Sequence, residues 1–194
     1  MQKEKIGFFG GSFNPPTNVH INLAKDLIKD KIVEKVVFVP VGDYYSKQDL
    51  IPAKHRYNML KIACEENKNL LVEDIAVNYE EKLYTSDTLK LLQEKYKEKC
   101  DIYFIMGSDN FNKMPNWKDY KNMIEKYKFI VMDRFETEVN ANMDLDNVIY
   151  YKTNQTEDIS STCIREKIHK GEEVSEYINP KVLKYIEENK LYWI

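Results

Sequence analysis

Ile6, Gly7, Phe8 and Phe9 run directly into Gly10-Gly11, and beyond Pro15-Pro16 the apolar positions switch to a helical spacing at Ile21, Ala24, Leu27 and Ile28. A short apolar run closed by glycines is how a strand buried on both faces reads, because such a strand shows no alternation. The following pattern predicts a helix over 18–30, with Thr17 or Asn18 as its N-cap. A strand that feeds a helix through a tight loop leaves few choices for what comes next. The helix must pack on a sheet face, and the chain must return as a parallel neighbour through a right-handed crossover.

The rest of the chain keeps that rhythm. Strands are expected at 36–39, 102–106, 129–132 and 148–151, with an extended stretch at 70–77. Helices are expected at 52–66, where Pro52 stands near the start and Met59, Leu60 and Ala63 share a face, and at 87–97, where Leu89, Leu92 and Tyr96 form a stripe. A helix is also expected at 117–127, followed by a polar stretch at 136–146. Two closing helices are read at 160–169, ended by Gly171, and 180–189, begun by Asn179-Pro180. Alternating strands and helices imply an α/β, doubly wound, Rossmann-like parallel sheet with helices on both faces. A chain of 194 residues, 43% hydrophobic, suits a single domain over 1–194, with 159–194 forming C-terminal helices. In such sheets ligands bind outside the carboxyl ends of the strands, so the loops that follow strands are where chemistry is sought.

The net charge of −3 provides no global basic field, which argues against nucleic acid or an anionic membrane as partner. An anionic substrate would have to be met by local groups. Cys64, Cys100 and Cys163 are far apart and odd in number, which speaks against a disulfide framework or a zinc cluster and for a reducing, cytoplasmic setting. Residues 1–5 are polar and lead into too few apolar residues for a signal core or membrane span.

Two loops carry unusual chemistry. In Gly10-Gly11-Ser12-Phe13-Asn14-Pro15-Pro16-Thr17-Asn18-Val19-His20 the glycines let backbone N–H groups approach a ligand, and the helix that follows offers a phosphate site at its N-terminus. His20 falls in the first turn, where the helix dipole disfavours imidazolium and suits a neutral ring that donates to a phosphate oxygen. A plain glycine turn with a packed histidine is the alternative. Ile159-Ser160-Ser161-Thr162-Cys163-Ile164-Arg165 places hydroxyls where they can cap a helix and meet phosphate, with Arg165 about one turn inside a positive helix end. A cation there is favourable only with an anion nearby; the alternative is a cap with a solvated arginine.

These segments resemble the two signature motifs of the nucleotidyltransferase superfamily. The first departs from the usual His-x-Gly-His, with Thr17 at the first histidine and Val19 at the glycine, and Thr-Asn-x-His is similar to the pyridine-nucleotide adenylyltransferases. The second is similar to Ile-Ser-Ser-Thr-x-Ile-Arg at every specified position. Residues 41–56 look like the eukaryotic branch of that group, Tyr84-Thr85-Ser86-Asp87-Thr88-Leu89 like the bacterial branch, and Gly107-Ser108-Asp109 like its Gly-x-Asp.

The resemblance implies an enzyme that joins ATP to nicotinate mononucleotide, with nicotinamide mononucleotide as a further substrate, releasing pyrophosphate in NAD biosynthesis. Mg²⁺ would arrive with ATP, and no protein-held metal is implied. His20, Arg165 and Ser161 inherit the catalytic roles. Gly10, Gly11, Ser12, Phe13, Thr17, Gly107, Asp109, Arg134, Ser160 and Thr162 inherit ATP binding. Asn14, Lys47, Arg56, Thr85 and Trp117 inherit the mononucleotide, with Trp117 stacking on the pyridine ring. Local readings compete with these: Lys47 as a solvated lysine, Arg56 as a partner of Asp49, Thr85 as part of a helix cap, and Trp117 as core. Rival functions are a sibling transferase acting on phosphopantetheine or an alcohol phosphate, and a non-catalytic dinucleotide-binding regulator.

Overall fold

The computed structural model describes residues 3–45, 49–133, 146–153 and 159–193. Its strands are β1 (Glu4–Gly11), β2 (Lys35–Pro40), β3 (Leu70–Val72), β4 (Cys100–Gly107), β5 (Lys128–Met132) and β6 (Val148–Tyr151). Its helices are α1 (Asn18–Lys29), α2 (Ala53–Cys64), α3 (Thr85–Tyr96), α4 (Ser108–Lys113), α5 (Tyr120–Lys126), α6 (Ser161–His169) and α7 (Pro180–Glu188), with a 3₁₀ turn at Met114–Asn116. The six strands form one parallel sheet in the order β3-β2-β1-β4-β5-β6. The winding direction reverses between β1 and β4, and a crevice opens at their carboxyl ends.

Alternate residues of the central strands serve opposite faces, which is why those strands read as unbroken apolar runs. Phe8, Val37, Phe104, Met106, Phe129 and Val131 pack on one face with Leu89 and Leu92 of α3 and Met123 of α5. Phe9, Val36, Phe38, Ile105, Ile130 and Met132 pack on the other with Ile21, Ala24 and Leu27 of α1 and Leu60 of α2. Burying each of the larger side chains contributes roughly 1.5–3 kcal/mol. A third cluster joins Met59 of α2 to Ile164 and Ile168 of α6 and to Val182 and Ile186 of α7, so the closing helices rest on α2.

Three local expectations are corrected. The stretch at 70–77 is strand only to Val72, because Asp74 opens a turn: its carbonyl accepts from Val77 N–H at 2.9 Å, and its carboxylate from the Asn78 amide at 2.9 Å. Helix α4, directly after β4, was not expected, since six residues are too few to show a period. The helix expected from Trp117 begins only at Tyr120, because Asp119 adopts a left-handed conformation (φ 64°) and interrupts the chain ahead of it.

Candidate active site

A cavity of about 490 Å³ lies over the carboxyl ends of β1, β2, β4 and β5, and Gly10, Pro40, Gly107 and Met132 all line it. The glycine loop after β1, the turn of Ser160, Ser161 and Thr162, and Thr85, Asp109 and Trp117 all contribute to its lining.

The loop owes its shape to anchors on its carbonyls. Gly11 O accepts from Val41 N–H at 3.0 Å, Ser12 O from Arg56 Nη1 at 2.9 Å, Asn14 O from Arg165 Nη1 at 2.9 Å, and Pro15 O from Ser161 Oγ at 2.8 Å. In a trans peptide N–H points opposite to C=O, so anchoring Gly11 and Ser12 turns the N–H groups of Ser12 and Phe13 the other way. Both residues line the cavity. The glycines serve close packing: a Cβ on Gly10 would stand 2.6 Å from the Phe104 ring and one on Gly11 2.9 Å from that of Phe13. The turn itself is made by Phe13, which is held at φ 48° and buried.

His20 is oriented by the helix it belongs to. Thr17 is the N-cap of α1, and its backbone N–H donates to His20 Nδ1 at 3.0 Å, with the Thr17 hydroxyl 2.8 Å from the same nitrogen. A backbone N–H can only donate, so Nδ1 is the acceptor and the neutral ring carries its proton on Nε2. The ring borders the cavity.

At the other phosphate motif, Ser160 caps α6 by accepting from Cys163 N–H at 3.2 Å. Arg165 reaches this turn through its second nitrogen, 3.4 Å from Thr162 Oγ1; Thr162 lines the cavity, and Arg165 itself does not.

Thr85, which also lines the cavity, is the first residue of α3, whose N-cap is Tyr84; Asp87 closes that cap by accepting from Tyr84 N–H at 3.1 Å. Trp117 follows the 3₁₀ turn in extended conformation, half-buried between the core and the cavity. It therefore serves the packing and the cavity together. Asp109 sits in the first turn of α4, where a carboxylate complements the helix dipole.

Two expected contacts are placed differently. Arg56 is fully buried and spends its guanidinium on Ile51 O (2.9 Å), Ser12 O (2.9 Å) and Val41 O (2.7 Å), with Asp43 at 3.9 Å in place of the expected Asp49. Burial pulls it down to about 10, against the opposing pull of Asp43, so it stays charged at neutral pH and braces the loops from beneath. Asn14 lines the cavity, but its side chain is spent on the protein: the amide donates to Asp49 O at 2.7 Å, and Oδ1 accepts from Tyr192 Oη at 2.9 Å. Lys47 and Arg134 lie outside the described residues. Sequence reasoning missed Asp133 and Thr153, which line the cavity just past β5 and β6, and the rule that ligands sit at strand ends could have found both. Tyr45 and Asn110 also line it and carry no such signal.

The crevice at the strand switch point, with its anchored glycine loop and capped serine turn, is the architecture of a nucleotide-handling α/β enzyme. Residues 8–167 match the cytidylyltransferase-like family model, and the chain belongs to that family. It is 35% identical to a "probable nicotinate-nucleotide adenylyltransferase" from Hydrogenobaculum sp., over 96% of this chain and 97% of that one. It is 31% identical to the nicotinate-nucleotide adenylyltransferase of Bacillus subtilis, over 97% and 98%. Within the family, the chain belongs with the nicotinate-nucleotide adenylyltransferases. Its fold is also that of the Plasmodium falciparum nicotinic acid mononucleotide adenylyltransferase complexed with NaAD, with a TM-score of 0.85, 21% identity and 97% of each chain covered.

Proposed function

We propose that this chain transfers the adenylyl group of ATP to nicotinate mononucleotide, forming the dinucleotide and pyrophosphate. The observation that carries this function is that one cavity is lined both by the anchored loop, His20 and the Ser160–Thr162 turn, whose donors suit phosphate, and by Trp117 and Thr85, which suit a flat ring. The mononucleotide phosphate attacks the α-phosphorus of ATP in line; one P–O bond forms, the bond to the leaving pyrophosphate breaks, and no covalent enzyme intermediate is needed. His20 Nε2–H, the N–H groups of Ser12 and Phe13, and the hydroxyls of Ser161 and Thr162 stabilise the charge that moves onto the leaving group. Arg165 adds positive charge from beside Thr162 and holds Asn14. Gly107 and Asp109 meet the adenosine side, while Trp117 stacks on the pyridine and Thr85 meets its substituent.

Among the described residues, Asp109 and Asp133 are the carboxylates lining the cavity, and no cluster of His, Cys, Asp and Glu forms a metal cage. That donor set fits Mg²⁺ held mainly by the triphosphate and water, where it would neutralise phosphate charge. The whole of 1–194 acts as one nucleotidyltransferase domain, closed by α6 and α7. The standing apart of the thiols, with Cys64 and Cys100 buried, suits a reducing cytoplasm. Pyrophosphate release measured with ATP and either mononucleotide tests the reaction. Turnover with the nicotinate substrate is expected, and none with either mononucleotide would reject it.

A further inference from the structure

Asn14 is where three distant segments meet the glycine loop. The residue is 1% exposed; its amide donates to Asp49 O, and Oδ1 accepts from Tyr192 Oη at 2.9 Å and from Ile51 N–H at 3.4 Å. Its main-chain oxygen takes Arg165. Non-glycine residues at positive φ are uncommon, yet three stand at this node: Phe13 (φ 48°), Asp49 (φ 58°) and Tyr192 (φ 68°). A tyrosine in that conformation persists only where its surroundings over-determine it, and such strain gathers at functional sites. Leu191, 9% exposed in the α2–α6–α7 cluster, anchors the segment just ahead of it. Burial pushes the Tyr192 phenol up, against the pull of Arg165 and Arg56, so its hydroxyl remains a donor.

We propose that Tyr192 is a positioning residue for adenylyl transfer: its hydroxyl locks the Asn14 carboxamide and so holds the loop from Gly11 to Thr17 in the shape that aims its N–H groups and His20 at the phosphates. The proposal rests on the function given above, but the clamp exists without substrate and can be measured without it.

Tyr192→Phe removes one oxygen and keeps the ring. In the substrate-free chain, backbone hydrogen exchange across residues 11–20 should speed up while exchange in β4 stays as it was. Turnover should fall on the order of tenfold or more, because small misplacements of a positioning loop are costly, while the melting temperature moves by only a few degrees. Asn14→Ala, which also frees Asp49 O and Ile51 N–H, should loosen the loop at least as much, and adding Tyr192→Phe to it should cost little more, since the hydrogen bond that Tyr192 makes is already gone. Unchanged loop exchange in Tyr192→Phe, or rate losses that multiply in the double variant, would overturn the clamp. If the parent chain proves inactive with both mononucleotides, the function fails, and loop exchange alone decides the clamp.

Discussion

At the scale of single residues, the site depends on where one proton sits. His20 presents Nε2–H because Thr17 N–H occupies Nδ1, and the ring borders the cavity, which is what the donor role proposed for it toward the leaving pyrophosphate requires. His20→Ala should lower turnover by ~10²–10³ with the Michaelis constant for ATP little changed, as for other donors that act on the transition state. Near-parental turnover would remove His20 from the chemistry. Thr17→Val keeps the backbone donor and loses only the hydroxyl, so its loss should be several-fold at most. A loss matching that of His20→Ala would mean that the Thr17 hydroxyl itself meets phosphate. Arg56 belongs to stability: Arg56→Met strands three partly buried carbonyl acceptors, and should destabilise the fold by roughly 3 kcal/mol. Denaturant midpoints would show it; an unchanged midpoint would mean that water or a neighbouring donor replaces the guanidinium.

At the scale of elements, the part of the cavity proposed to take the pyridine is lined from the start of α3 and from the turn that delivers Trp117. Met114 is fully buried, Trp117 N–H donates to its carbonyl at 2.9 Å, and the Asp119 left-handed step ends the segment before α5. The long elements were legible because each shows a period: two-sided apolar runs for β1, β2, β4 and β5, and stripes such as Leu89 with Leu92 for α3. The short ones were not, because α4 and the 3₁₀ turn span six and three residues, and a left-handed aspartate has no periodic signature. Trp117 stands out through its motif, while the helix expected to start at it begins three residues later, at Tyr120. If its ring is a wall for the pyridine, Trp117→Ala should raise the Michaelis constant for the mononucleotide on the order of tenfold and that for ATP far less. The ring also packs on the core, so the melting temperature should fall by a few degrees. A drop in melting temperature with both Michaelis constants unchanged would make Trp117 core only.

At the scale of the whole molecule, the active loop is held by groups 44, 146, 151 and 178 residues away, through Arg56, Ser161, Arg165 and Tyr192. Those bonds run from side chains to carbonyls or to a single carboxamide, so they leave no spacing to read; the motifs revealed which segments meet but not that Arg56 meets them from beneath. The same closure ties stability to alkaline pH. Burial raises the Tyr192 phenol, burial and the Glu73 hydrogen bond raise Tyr96, burial and Asp30 raise Tyr151, and burial pushes the Cys64 thiol up to about 12. Each group keeps its proton in the folded chain at pH values where the unfolded chain has released it. The unfolded state then binds fewer protons, so stability falls as pH rises above about 9 for the thiol and about 10 for the phenols. Each group removes at most about 1.4 kcal/mol per pH unit over its window, and less where solvent reaches the ring. Urea midpoints should hold level from pH 7 to 8.5 and decline between pH 9.5 and 11 on this titration. Tyr192→Phe should decline less steeply than the parent, because it lacks one of the groups that titrate on unfolding. Parallel declines in the two chains would mean that the Tyr192 phenol ionises alike whether the chain is folded or not, and a midpoint flat to pH 11 would deny the effect for all four groups.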